Sequence, residues 1–572
     1  MATITATPLN ILTDLAGPTC KLWLDAQQGV TLEVGGANTT GADIDTMTDL
    51  SGGGHVLASQ SSGPLNPLYF ADPRPAVAFP PSGTNPSSSA GRFDVTGGYT
   101  FTKSAMSLIV IAKPHRIVYG NSSAVQAIVS VTSDEQDLAI GTSGRLGICT
   151  SGALATSLAT NLRACSSVCV LGYTSNGARF RMFRDKTKEN IVLGSSGTTT
   201  IATIGQATGS FVGSYQGLIY EVIAYNGDLT DEMIDAVVDY AYEKYDRTDR
   251  RKACIFEGTS TMYGQKADNY LKGFDFILDD DLDDFMLFNV GSGATNVGSG
   301  TGVRTADILA DASLEVSGVL TSQFDTQVVC VQAGSNDIYV DGDSAATQIA
   351  ELKTLCTTYK TLRPGVKIVA CTMLQRGDPG VGTTATYNTE RLAYNALIRA
   401  ETLGVYWDAV ADFASITELA VADVQTDTTY YVGVSDNYIH MKQAGFDLCA
   451  PVLLAAIRAV APSDVQPTDV AAGRSFFWDE PVYVDVQVLL DWEDLTPAQQ
   501  EYIARAAALE FQRYKKRSRT DDSLLYQQMM QARTYAHQED ILASPVRTNM
   551  FGSSDYRQTQ GRIHITRGRT VL

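Results

Sequence analysis

His440 is the single histidine between residues 116 and 536 of a 572-residue chain that has five histidines in all. Imidazole is the side chain that exchanges a proton near neutral pH. Any imidazole-based chemistry in the central part of the chain therefore has one candidate base. Upstream, Ser260 lies in Glu257-Gly-Thr-Ser-Thr-Met-Tyr-Gly264, directly after the apolar run Ala253-Cys-Ile-Phe256. A Ser at a strand-to-helix turn exposes its hydroxyl at the carboxyl end of a sheet, with its own N–H aimed where an oxyanion can sit. The plainer role for a Ser there is a helix N-cap. A Ser hydroxyl is a weak nucleophile until an imidazole takes its proton, and the imidazole needs a partner to hold its tautomer. In Ser435-Asp-Asn-Tyr-Ile-His440 a carboxylate, Asp436, stands four residues before that histidine. Two further turns follow apolar runs: Asn289-Val-Gly-Ser-Gly-Ala-Thr295 and Ala333-Gly-Ser-Asn-Asp-Ile338. An Asx turn is the plainer role of Asn336, and a surface histidine ahead of a helix that of His440.

Elements that could place these residues are legible in the periodicity. From Ala253, continuous apolar strands (253–256, 285–288, 327–332, 366–372) alternate with helical stretches (345–362, 387–403, 442–460). That alternation predicts a parallel sheet covered on both faces, an α/β domain over residues 251–460. Before it, residues 21–248 are rich in Gly, Ser and Thr with short β-branched runs at intervals of about ten residues, which predicts an all-β antiparallel sandwich. A helix with apolar positions 233, 234, 237, 238, 241 and 245 closes it, and the charged stretch 243–252 reads as a hinge. Residues 1–20 form a leading segment and 461–475 a linker by composition. Residues 476–572 predict an α+β module, an alternating strand at 482–488 followed by two long helices. The net charge is −20, of which −18 falls in the first 460 residues. An acidic surface of that size argues against phosphate backbones, and no DNA contact is expected. The basic cluster Arg513-Tyr-Lys-Lys-Arg-Ser-Arg519 reads as complementing a helix C-terminus.

No cofactor or metal is called for. The nine cysteines include no Cys-x-x-Cys pair, which argues against a disulfide framework or a zinc ribbon. The glycine-rich run 290–303 lacks both the P-loop and the dinucleotide fingerprint. The carboxylate run Leu278-Asp-Asp-Asp-Leu-Asp-Asp284 lacks the spacing of an EF-hand and reads as solvated surface. No window approaches the ~18 apolar residues of a membrane span. Residues 1–18 contain no Lys or Arg, so the positive region of a secretory signal is missing and cytoplasmic synthesis is expected.

Together, the turns at 257–264, 289–295, 333–338 and 435–445 resemble the four sequence blocks of the SGNH (GDSL-type) hydrolases, over residues 251 to about 460. The resemblance implies a three-layer α/β fold with Ser260 as nucleophile, His440 as base and Asp436 or Asn437 as its partner. It further implies an oxyanion hole from the Ser260 amide, Gly293 (or Gly291) and Asn336. Two departures stand out: Thr259 replaces the Asp usual before the Ser, and Asp436 and His440 are one residue further apart than Asp-x-x-His. Leu22-Trp-Leu-Asp-Ala26, Asp49-Leu-Ser-Gly-Gly-Gly-His55 and Gly217–Glu232 resemble concanavalin A-like (laminin G-like) jelly rolls. The run 477–512 is similar to the second half of the tail tubular protein A adaptors of short-tailed bacteriophages.

These resemblances imply a phage virion protein of the tail or neck, assembled in the host cytoplasm. It would carry an esterase acting on ester groups, O-acetyl above all, of host surface polysaccharide. Expected partners are the portal, tail nozzle or tail fibre, the host polysaccharide, and further copies of the chain in a ring. The alternative is a purely structural adaptor or receptor-binding protein whose hydrolase fold is inactive.

Overall fold

The strand Gly217–Tyr225 is buried along its whole length, and its β-branched and aromatic side chains suit a strand packed on both faces. It pairs antiparallel with Cys20–Asp25, Met106–Pro114 and Ala76–Phe79, and Met106–Pro114 passes the sheet on to Cys169–Ser175 and Phe180–Arg184. A second antiparallel set runs through Val56–Ser59, Phe93–Thr102, Thr198–Ile204, Gln126–Val131, Asp137–Ile140 and Arg145–Thr150. Ala42–Thr48 pairs with strands of both sets. Leu22, Val110 and Val222 of the first set and Phe93, Ile128 and Ile201 of the second belong to one buried cluster. Helix Asp231–Tyr245 lies on this unit through Ile234, Val237, Val238, Ala241 and Tyr245. Its Lys244 Nζ donates to Asp25 and Glu221 at 2.7 Å each.

The computed structural model describes residues 7–13, 15–32, 42–59, 67–71, 74–79, 91–115, 126–131, 137–141, 144–150, 153–191, 197–206, 213–245, 247, 250–264, 273–291, 305–321 and 323–462. The α+β module expected over 476–572 lies outside the described residues. Residues 6–461 form one compact unit.

Five parallel strands follow the all-β part: Lys252–Gly258, Phe285–Asn289, Thr326–Gln332, Lys367–Cys371 and Ala409–Ala411, in spatial order second, first, third, fourth, fifth. Side chains alternate between two faces, as the two-residue period of a strand demands. Ala253, Ile255, Val329, Val331, Ile368 and Ala370 join one buried cluster with Ile308, Leu352, Leu355 and Ile398 from helices Thr305–Ala312, Ala345–Leu362 and Gly382–Ala400. Cys254, Phe256, Val328, Cys330, Val369 and Cys371 join another with Phe274, Phe446, Leu453 and Ile457. The last three belong to helix Gln443–Val460, whose length and hydropathy would suit a bilayer but whose apolar face packs in this core. Each fully buried Leu, Ile or Phe contributes about 1.5–3 kcal/mol, and the sheet thus becomes a rigid floor for the turns at its carboxyl edge.

Two expectations are corrected here. The acidic run 278–284 is not simply solvated surface. Leu278, Asp279 and Leu282 are buried, and Asp279 meets Arg247 at 2.7 Å and Lys113 at 3.1 Å. Asp284 in turn holds Lys252 at 3.0 Å and Arg458 at 2.7 Å. The stretch 243–252 is likewise not an open hinge, because Arg247 and Lys252 are buried and the Arg250 side chain is enclosed beside Asp279. Charge patterning looked solvated because the balancing cations lie elsewhere in the chain, Lys113 on strand Met106–Pro114 among them. A second seam joins the parts. Ser166 N donates to Leu287 O at 2.7 Å, and the Leu287 and Asn289 amides donate to Ser167 Oγ and Ser166 Oγ. The turn at 164–168 thereby covers an edge strand that would otherwise present unpaired groups.

Candidate active site

The first parallel strand ends at Gly258, whose φ of +143° lies in a region open to glycine. A Cβ there would sit 2.2 Å from Gln332 O on the neighbouring strand. The chain then turns into the short helix Ser260–Tyr263, with Thr259 in the N-cap position but its side chain making no cap hydrogen bond, so Ser260 is the first helical residue and not the cap. Thr259, in the position where the resemblance has an Asp, donates its hydroxyl to Gln332 Oε1 at 3.2 Å and ties the turn to the third strand.

Ser260 Oγ lies 3.0 Å from His440 Nε2, and His440 Nδ1 lies 2.6 Å from Asp436 Oδ2. The same carboxylate oxygen accepts the His440 backbone N–H at 2.9 Å. A carboxylate can only accept, so the ring proton sits on Nδ1 and the Nε2 lone pair faces the serine hydroxyl. Ser260 is 7% exposed and the His440 side chain 10%, and this shielding strengthens the electrostatics between them.

The wider Asp436–His440 spacing has a backbone explanation. Asn437 and Tyr438 adopt consecutive left-handed conformations, φ 51° and 58°, and the extra residue is taken up in that bulge. Asp436 therefore still reaches the ring, whereas Asn437 serves as the left-handed corner, a place asparagine tolerates better than most residues. The base loop is pinned by Val432 N to His440 O at 3.0 Å and by Gly377 N to Tyr438 O at 2.9 Å.

Among the expected oxyanion donors, Asn336 is buried just beyond the third strand. Its Oδ1 accepts from Arg376 Nη1 at 2.8 Å. Gly291 N–H is taken up by Phe256 O at 3.1 Å and Asn289 Oδ1 at 3.2 Å, so it serves the turn. A Cβ on Gly291 would lie 2.7 Å from Tyr263 N, which is why this strand end packs so closely on the serine helix. Gly293 lies outside the described residues. Asn289 itself binds Asp275 Oδ1 at 2.8 Å through Nδ2, linking the second strand to the floor of the site. Burial outweighs that bond and the charge of Lys113, and pushes the Asp275 carboxyl up to about 7.

Reading residues in order missed Arg376 and the Ser166–Asn289 seam. Arg376 sits in Gln375-Arg-Gly-Asp-Pro, whose composition is that of an ordinary surface turn. Ser166 and Asn289 are separated by 123 residues, beyond any local pattern.

Residues 258–448 match the GDSL-like Lipase/Acylhydrolase family. No curated protein matches the chain. Among solved structures, a lipolytic protein of the G-D-S-L family from Veillonella parvula is 16% identical, covering 36% of this chain and 97% of its own, with a TM-score of 0.26. The salicylyl-acyltransferase SsfX3 of a tetracycline biosynthetic pathway is 12% identical, covering 66% and 84%, with a TM-score of 0.29. TesA is 14% identical, covering 36% and 99%, with a TM-score of 0.26. The stretch 258–448 is thus a GDSL-like esterase/acylhydrolase domain, preceded by a large all-β part.

Proposed function

We propose that the chain is a serine esterase working through Ser260, His440 and Asp436, carried on a bacteriophage tail or neck and directed at O-acetyl esters of host surface polysaccharide. The single observation behind the chemistry is the unbroken relay from Ser260 Oγ through the imidazole to Asp436, at 3.0 and 2.6 Å. In acylation Ser260 Oγ attacks the ester carbonyl carbon while its proton passes to His440 Nε2. Asp436 stabilises the imidazolium, and the oxyanion is held by the Ser260 amide and Asn336, with Gly293 as the third donor. The sugar hydroxyl leaves with the proton from Nε2. Water then enters, gives a proton to Nε2, and releases acetate and the serine. The resemblance of 477–512 to phage adaptors supports the virion setting, with residues 476–572 anchoring the chain in a ring beside portal, nozzle or fibre. The resemblance of the sandwich to glycan-binding jelly rolls supports a polysaccharide substrate.

The test is hydrolysis of p-nitrophenyl acetate and of acetylated polysaccharide by the full chain. Ser260→Ala is expected to lower kcat by at least about 10⁴-fold. Equal turnover by parent and variant would remove Ser260 from the chemistry, and silence in both would favour a purely structural virion protein.

A further inference from the structure

We propose that Arg376 is the positioning residue of the oxyanion amide: by holding Asn336 Oδ1, it sets which edge of that side chain can meet the substrate. This rests on the hydrolase reading above.

Arg376 is 8% exposed. Its Nη1 donates to Ser335 Oγ and to Asn336 Oδ1, both at 2.8 Å. A guanidinium has donors only, so the amide atom it faces must be the oxygen, and the Asn336 NH₂ is held on the opposite edge. Reversing the amide would set NH₂ against N–H, and a buried unpaired donor costs about 1–3 kcal/mol. A cation on Oδ1 also polarises the amide and makes its N–H a stronger donor to a developing negative charge.

Arg376 is itself held in place. Its guanidinium lies 4.6 Å from the Tyr339 ring centroid and 6.0 Å from that of Tyr387. The preceding Gln375 bridges Val421 O and Asp423 N at 2.8 and 2.9 Å. The next residue, Gly377, has φ +87°, and a Cβ there would lie 2.6 Å from both Thr384 Oγ1 and Tyr339 Cε2. Its N–H holds the loop of His440 through Tyr438 O. One turn of three residues therefore sets the oxyanion side through Arg376 and the base side through Gly377. Arginine suits the task because its rigid planar fork keeps its direction where an ammonium would swivel.

The experiment is a double-substitution cycle in the full chain with p-nitrophenyl acetate. Asn336→Ala is expected to lower kcat by about 100- to 1000-fold and Arg376→Met by about 10-fold or more, each with KM within about 2-fold of the parent. In the Asn336→Ala background, Arg376→Met is expected to change kcat by less than about 2-fold, since its effect passes through an amide no longer present. Losses that multiply across the cycle, or an Arg376→Met kcat equal to the parent's, overturn the proposal. If Arg376→Met lacks a cooperative thermal transition, Arg376→Lys is read in the same cycle. Its kcat should fall between parent and Asn336→Ala, with no further loss in the Ala background, and an equal loss in both backgrounds overturns the proposal. Turnover surviving Ser260→Ala overturns the hydrolase reading and this inference together. Turnover lost there while the cycle multiplies overturns the Arg376 role alone.

Discussion

Asp279 and Asp436 are carboxylates of the same compact unit, both shielded and both held by nitrogen partners, and they do different work. Asp279 lies between Arg247 at 2.7 Å, Lys113 at 3.1 Å and Arg250 at 3.7 Å. Burial alone would raise its pKa, but those three cations hold it well below the usual carboxylate range. Asp436 faces a protonatable side chain, a histidine whose other nitrogen faces a hydroxyl. Where charge is over-compensated on every side the carboxylate can only be a strut. Where the partner can gain and lose a proton, the same group becomes part of a relay.

The contrast predicts that activity and stability separate. Asp436→Asn is expected to lower kcat by about 10³- to 10⁴-fold through the wrong imidazole tautomer, while its urea midpoint stays near the parent's. Asp279→Ala is expected to cost about 3–5 kcal/mol, because it removes the nearest counter-ion of buried Lys113 and Arg247 and leaves Arg247 only the half-exposed Asp280 at 3.3 Å. Its kcat, per folded molecule by active-site titration, should remain within about 3-fold of the parent. Urea unfolding and steady-state kinetics on both variants decide the matter. If each variant lost both properties alike, the distinction between strut and relay would collapse.

Asp275 supplies the smallest effect and the finest test. It sits near Lys113, Asp279 and His115, the last at 3.8 Å, and its pKa of about 7 exceeds the ordinary 3.8 because burial disfavours its charge. Between about pH 4 and 7 the unfolded chain has released this proton and the folded chain still holds it. Its contribution to stability is therefore complete below pH 4 and lost as pH rises towards 7. Asp275→Asn keeps an acceptor for Asn289 and removes the titration. Relative to the parent it should gain stability steadily across that window, by a few kcal/mol at most. A difference in unfolding free energy that does not vary from pH 4 to 8 would count against a buried, proton-holding Asp275.

The candidate site was legible to different depths. Ser260 and His440 stood out through the four turns taken together, since each alone has a plainer role as a helix cap or a surface histidine. The choice between Asp436 and Asn437 was not readable, since it turns on two consecutive left-handed residues that composition does not announce. Helix 345–362 was placed to the residue, and in the fold the Ser344 side chain caps it by accepting from Thr347 N. The fifth strand, Ala409–Ala411, is three residues long and too short for any period to register. Arg376 and Ser166 escaped because their partners are 40 and 123 residues away in the chain.

Periodicity and turn residues were enough to indicate an all-β part and an α/β part, and turn residues with the scarcity of histidine to single out a serine and an imidazole that the fold brings to 3.0 Å. These are local properties, set by which side chains repeat on a face and which backbone torsions a residue tolerates. The ring partner, the contact of Asn336 Oδ1 with Arg376, and the burial of Asp279 within an acidic run were decided by the folded molecule. Each depends on which distant group arrives within about 3 Å, and electrostatic and hydrogen-bond energies change steeply over that distance once water is excluded.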